Sequence, residues 1–236
     1  SNFFIGIGYA FTAQYRFAAA ESVSEKNIPN AISVILLSSM VGALIGPNIA
    51  TYTKDFIPDG MYSGSYIFLS ILTFVPIFFF IFFTENKIKN NIENFSIAKR
   101  SYVQLLIQPK FYQAVIGSGI GYCVMAFLMT ATPISMHIHN EITIGKTGFV
   151  IMFHVIAMFL PSLITGKLIK IYGHSQIMYC GVFVLMISIL LNFINQSFYN
   201  YLLGLIFLGI GWNFLFVSGT SLLILSYNSQ EKFRAQ

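Results

Sequence analysis

Seven runs of roughly twenty mostly apolar residues constrain this chain more than any other feature; they lie near 2–20, 31–52, 63–83, 111–138, 147–169, 176–194 and 198–224. About 20 such residues are needed for a helix to cross the hydrocarbon of a bilayer. No water is available there to bond backbone N–H and C=O groups, so a run surrounded by lipid must be helical. Pro47, Pro76, Pro133 and Pro161 fall inside the runs. In water they would argue against helix; in a membrane bundle they mark kinks whose freed carbonyls neighbouring helices can satisfy. Charged residues make up 9% of the chain, against about 25% in an ordinary soluble domain. That is too little polar surface to cover a globule in water. The predicted fold class is an all-α membrane protein, a bundle of seven transmembrane helices embedded in a lipid bilayer.

The charges sort by side. With alternate connections placed on opposite faces, those after runs one, three, five and seven hold eleven of the thirteen Lys and Arg, and the other face holds only Lys54 and Lys146. This is the positive-inside pattern, and a missed or extra span would scramble it. It puts the start of the chain outside and its end inside. The net charge of +5 therefore reads as membrane topology. No Lys/Arg cluster interleaved with aromatics points to nucleic acid. Cys123 and Cys180 sit inside apolar runs, as packing residues do. His137 and His139 are two apart, so on a helix they face different ways and make a poor metal pair; they read as residues of the outer interface. Neither a metal nor a cofactor is expected. The chain opens on Ser1 and Asn2 with no Met and no basic leader, which reads as a start inside a longer frame.

Several stretches carry a family pattern. Gly42-Ala43-Leu44-Ile45-Gly46-Pro47 places two glycines four apart, a flat stripe for close helix approach, followed by a proline. It resembles the G-x-x-x-G-P signature on the fifth helix of many major facilitator superfamily transporters. Gly166-Lys167-Leu168-Ile169-Lys170-Ile171-Tyr172-Gly173-His174 is similar to the loop motif joining paired helices on the cytoplasmic face of that superfamily. Gly166, Leu168 and Gly173 match; Lys170 replaces the usual Asp and Ile171 the usual Arg, which removes the charge latch that the Asp forms with a helix N-terminus. The stretches Tyr15 to Glu21, Thr130 to Met136 and Gly209 to Phe214, with His154 in its run, resemble one branch of the same superfamily. The resemblance implies twelve helices in two halves. Residues 1–83 would then close the N-terminal half with three helices, and 84–110 would be the cytoplasmic linker, with a short interfacial helix near 102–107. Residues 111–236 would supply four helices of the second half. The seven runs correspond to helices four to ten, and helices one to three, eleven and twelve are expected outside this chain.

The resemblance also implies a central cavity lined by the first, fourth and seventh runs. A polar or ionisable group inside the membrane is costly and is by default a functional candidate. Gln14, Tyr15 and Arg16 lie near the inner end of the first run, where Arg16 either faces the cavity or snorkels to the interface. Glu21 is placed to pair with a basic neighbour. In the fourth run Tyr122 and Met125 either face solute or pack the core, and in the seventh Trp212 and Asn213 sit mid-membrane. Asn213 is either interhelical glue or a substrate contact. His154 is a mid-membrane imidazole: either a neutral ring bonded to a neighbouring helix or a group handling substrate or a coupling proton. None of the eight carboxylates lies mid-membrane.

The function this implies is movement of a small solute by alternating access in a secondary transporter, as a permease of the bacterial inner (plasma) membrane, with no enzymatic chemistry. Two other classes fit part of the pattern. A seven-helix photosensor needs a Lys in its last helix for a retinal Schiff base, and 198–224 has none. A membrane-embedded hydrolase needs H-E-x-x-H, G-x-S-x-G or an intramembrane Asp pair, and the sequence contains none of them.

Overall fold

The apolar runs do form helices. The computed structural model describes residues 2–53, 55–57, 63–81, 100–228 and 230–235, and no strand occurs among them. The first run becomes α1 (Asn2–Ala13) and α2 (Tyr15–Glu21), interrupted at Gln14, where the bond tightens to Gln14 N–Phe11 O at 3.0 Å. The second and third are α3 (Ile28–Thr53) and α4 (Ser63–Ile81). A short helix, α5 (Tyr102–Ile107), opens on a capping box between Ser101 and Gln104, where the interfacial helix is expected. The fourth run is α6 (Pro109–Ile134), ending in a π-turn over Ser135–His139. The fifth is broken at Leu160 and Pro161 into α7 (Ile144–Phe159) and α8 (Ser162–Tyr172), since Pro161 supplies no N–H to the helix before it. Then come α9 (His174–Ile194), α10 (Phe198–Ile224) and the short α11 (Lys232–Ala235). Among the described residues, five stretches are long and apolar enough to cross a membrane: Glu25–Gly46, Pro109–His139, Gly145–Tyr172, His174–Ile194 and Phe198–Ile224. Of the seven expected, the first is divided at Gln14 and the third shows a shorter apolar helix over Ser63–Pro76.

The chain divides into two compact units, residues 1–40 with 98–236, and residues 41–97. In the smaller, the hydroxyls of Thr53 and Ser65 lie 3.3 Å apart where the chain turns from α3 into α4. In the larger, α10 is the central post. Of its most apolar 18-residue window 67% is buried, against 11% for α6. It packs on α9, α6 and α7 and reaches α8 and α2. Glycines permit this approach. A Cβ on Gly209 would stand 2.7 Å from the His154 carbonyl and 2.8 Å from the Met158 nitrogen of α7. Gly211 meets the Gly181 carbonyl of α9, so two backbones touch there. Large apolar side chains such as Phe127, Phe183 and Phe193 remain exposed on the outer helices, as a bilayer solvent allows.

Polar contacts between connections respect the two faces read from the charges. Arg100, after the third run, donates to Glu231, after the seventh, through Nε at 2.9 Å, Nη2 at 2.6 Å and its backbone N–H at 3.0 Å. Arg100 also donates to Gln108 Oε1 and the Ser226 carbonyl, and Glu231 accepts from the Asn228 N–H. Lys232 pairs with Glu21 at 2.7 Å, and Lys170 donates to Asn27 at 3.1 Å. Glu21 thus has the basic partner expected of it, and Lys170, in the place of the motif's Asp, reaches a side chain just before α3. On the opposite face Asn140 donates to Tyr201 at 2.9 Å and to Gln196 at 3.3 Å. Among these described ties, every one joins connections assigned to the same side.

The bonds from Arg100 hold the buried Glu231 carboxyl down at about 2, from an ordinary value of 4.5. A depressed carboxyl stabilises the fold above its unfolded pKa and loses that contribution as pH falls through the folded one. Thermal melting in detergent should therefore show no Glu231-dependent change from pH 8 to about 5 and a loss between about 4.5 and 2. Glu231→Ala should cost roughly 3 kcal/mol at pH 7, the low end for breaking a buried pair, because the Arg100 side chain is 30% exposed. Gly209→Ala should lower the melting temperature, since overpacking costs about 1–3 kcal/mol. Gly119→Ala, with nothing within 4 Å of the new methyl, should leave stability unchanged or raise it by up to about 1 kcal/mol.

Candidate functional site

A cavity of about 410 Å³ opens between α2, α3, α6, α7 and α10. Its walls are aromatic. Trp212 and Phe216 are four residues apart, so they share one face of α10. Their rings stack with centroids 4.4 Å apart and planes inclined by 16°. Tyr122 of α6 approaches both at 6.2 Å, and Phe159 of α7 meets Trp212 edge-on at 6.3 Å and 88°. The guanidinium of Arg16 lies over Phe216 at 4.5 Å and over Phe17 at 4.8 Å. Tyr15 lines the same space from α2, and Ser38 and Ser39 line it from α3, with their hydroxyls turned to the Ile35 carbonyl. Among the described residues no Asp or Glu lines it.

The structure brings four of the expected residues together here: Tyr15, Arg16, Tyr122 and Trp212. The others lie elsewhere. Gln14 is exposed at the break between α1 and α2. Met125 is partly buried between the two core clusters. Asn213 is fully buried and its amide is saturated. Nδ2 donates to the Met158 carbonyl and to Ser162 Oγ, both at 2.7 Å, and Oδ1 accepts from Thr165 Oγ1 at 2.7 Å. It clamps α10 onto the break between α7 and α8, and so sets Trp212 against Met158 and Phe159 of the cavity wall. Of the two readings of Asn213, the contacts are those of interhelical glue. His154 is also fully buried; its Nδ1–H donates to the Leu205 carbonyl of α10 at 2.8 Å, and it does not line the cavity.

The motif glycines divide similarly. Gly173 has φ +89°, a left-handed conformation that glycine adopts without strain, and it turns the chain from α8 into α9. Gly166 packs against Asn30 and Ser33 of α3, where a Cβ would stand 2.6 Å from Asn30 Oδ1. A Cβ added at Gly42 or Gly46 would meet no other element within 4 Å among the described residues, and the side chain of Pro47 lies outside the described residues. Sequence reasoning missed Phe216 and Phe159. Phe216 was legible as the residue four beyond Trp212, on the same helix face. Nothing local signals Phe159, because its role depends on which face α7 turns to α10.

Membrane-length helices around an aromatic and cationic cavity define a multi-pass integral membrane protein with an internal cavity. The chain belongs to the Major Facilitator Superfamily, whose family model matches residues 1–235. It is 30% identical over 98% of its length to the riboflavin transporter RfnT of Brucella anthropi. It is 27% and 28% identical, again over 98% of its length, to the uncharacterized MFS-type transporters YdeG and YddS of Bacillus subtilis. The chain spans 58%, 57% and 56% of the length of these three relatives. No solved structure matches it. Neither the family nor the relatives' names favour the photosensor or hydrolase readings.

The clamp at Asn213 gives a test. Interhelical bonds in membrane proteins average about 0.6 kcal/mol each and reach about 1.7, so Asn213→Ala should destabilise by roughly 2 kcal/mol in a detergent melt. It should also shift the emission of Trp212, the only tryptophan in the chain. Asn213→Gln, which keeps the amide but not its reach, should fall between.

Proposed function

We propose that the full-length protein carries a small solute across a bacterial inner membrane by alternating access, and that the cavity around Trp212 and Arg16 is part of its binding site. The observation that carries this reading is the cavity itself. It is built on α2, α6 and α10, which the family resemblance places among the cavity-lining helices four, seven and ten, and it is lined by a cation and aromatic rings. On this reading residues 1–83 end one helical half, 84–110 form the cytoplasmic linker, and 111–236 make most of the other half, the halves rocking about a midplane site. Gly42, Gly46 and Pro47 would belong to the surface along which the halves move, and Gly166 and Gly173 to the loop that closes one side. His154 is the buried imidazole available to a coupling proton.

Riboflavin is the first solute to test, because the relative at 30% identity is named as its transporter and the cavity walls are aromatic. The full-length gene, expressed in a riboflavin-requiring bacterium without its own uptake system, should restore growth at micromolar vitamin and accumulation of labelled riboflavin. Arg16→Ala and Trp212→Ala should each reduce uptake at least about tenfold, equivalent to 1.4 kcal/mol, at equal membrane abundance. Uptake measured with and without a proton gradient reads the coupling. If no solute in a panel of vitamins, nucleobases and aromatic acids moves through the purified protein in vesicles, the transport reading falls.

A further inference from the structure

We infer that this cavity takes a flat ring system that is neutral or anionic and carries acceptor oxygens on its edge, and that it rejects flat cations; the inference rests on reading the cavity as the solute site. Three observations carry it. The walls are ring faces and edges: Trp212 stacked on Phe216, with Tyr122 and Phe159 closing on Trp212 at 6.2 and 6.3 Å. Walls of ring faces and edges offer stacking and edge-on contacts to a planar aromatic solute that a sugar or a branched aliphatic one cannot use.

The second observation is an unanswered donor. Trp212 lines the cavity and is 4% exposed, yet its Nε1–H has no partner among the described residues. An indole nitrogen only donates, and a buried one usually has an acceptor. A ring carbonyl or carboxylate of the solute would supply it. Arg16 adds a guanidinium, likewise a donor only. Ser38 and Ser39 direct their protons to the Ile35 carbonyl, which leaves lone pairs for a ring N–H.

The third observation decides the sign of charge. Aromatic cages commonly recognise cations, and many rings alone would suggest one here. In this cavity the protein's own cation is already in place, 4.5 Å over Phe216, and no carboxylate among the described residues lines the wall to offset a second. A cationic solute would meet like charge in a medium of low dielectric, where repulsion is several times stronger than in water.

Two tricyclic probes of matched size separate the charge from the shape: lumichrome, neutral with two ring carbonyls, and proflavine, a cation at pH 7. Equilibrium dialysis against full-length protein in nanodiscs, with empty nanodiscs subtracted, should show saturable binding of one lumichrome per protein. Proflavine should bind at least about tenfold more weakly. Trp212→Phe, which keeps a ring and removes the donor, should weaken lumichrome about 3- to 10-fold. Arg16→Gln should raise proflavine binding, while Arg16→Lys should not. The Arg16 pair decides the matter even if Trp212→Phe fails to fold. Proflavine binding as tightly as lumichrome, or neither probe binding, overturns the inference, as does lumichrome binding unchanged by loss of the indole N–H in a folded variant. If the probes sort as stated but the protein moves no solute in vesicles, the solute class stands and the transport reading falls. Uptake of flat cations gives the reverse.

Discussion

The close approach of α10 to its neighbours is the contact on which the larger unit depends. Helices in lipid gain little from merely hiding apolar surface, because lipid tails are as apolar as leucine. Association must come from dense packing and from hydrogen bonds that lipid cannot offer. Gly209 lets the α7 backbone come to van der Waals distance, and Gly211 with Gly181 does the same for α9. Around these contacts Leu205, Leu208, Leu215 and Val217 are fully or almost fully buried, while the outer helices keep phenylalanine and isoleucine exposed. A central post with small residues and a greasy periphery is the inverse of what water would select.

Polar groups then fix what packing leaves free. A helix pressed on three sides by small residues could still slip or rotate, and Asn213 prevents it by saturating its amide against Met158, Ser162 and Thr165. These partners flank the break at Leu160 and Pro161, after which α8 starts at Ser162. His154 adds a second lock through Leu205. Both bonds converge on the stretch of α7 that carries Met158 and Phe159, so the shape of the aromatic cavity is set from behind by residues that do not line it.

The ends are held differently. In the Arg100–Glu231 pair the carboxylate is buried and the Arg100 side chain is half-buried. The carboxylate also accepts from the Arg100 and Asn228 backbone N–H groups, and the guanidinium also donates to Gln108 and the Ser226 carbonyl, which helps offset the cost of desolvation. Glu21–Lys232 is about one-third exposed on each side, and such surface pairs contribute only about 0–1 kcal/mol. The first is suited to anchoring the start of α5 and α6 against the end of α10. The second can part at small cost.

Much of this protein was legible in its residues. Hydrophobic length and the eleven-to-two division of Lys and Arg specify helices, their number within the limits of the break at Gln14, and the side on which each connection lies. They do so because the bilayer imposes one length scale and one charge bias on every span. The contacts of Arg100, Lys170 and Asn140 all obey that division. Gly173 was legible too, since a helix-to-helix turn with positive φ calls for glycine. The cavity was only half legible. The family resemblance and the cost of polar groups in lipid mark Tyr15, Arg16, Tyr122 and Trp212 as candidates, but they do not say which way each helix is turned. Rotation about the helix axis is decided by side-chain packing between elements far apart in the chain: α10's glycines against α7 and α9, and Asn213 against the Pro161 break. That packing moved Asn213 and His154 behind the wall and brought Phe159 and Phe216 into it. Composition and spacing determined that the chain is a helical membrane protein with its basic connections gathered on one side; only tertiary contacts decided which residues line the cavity.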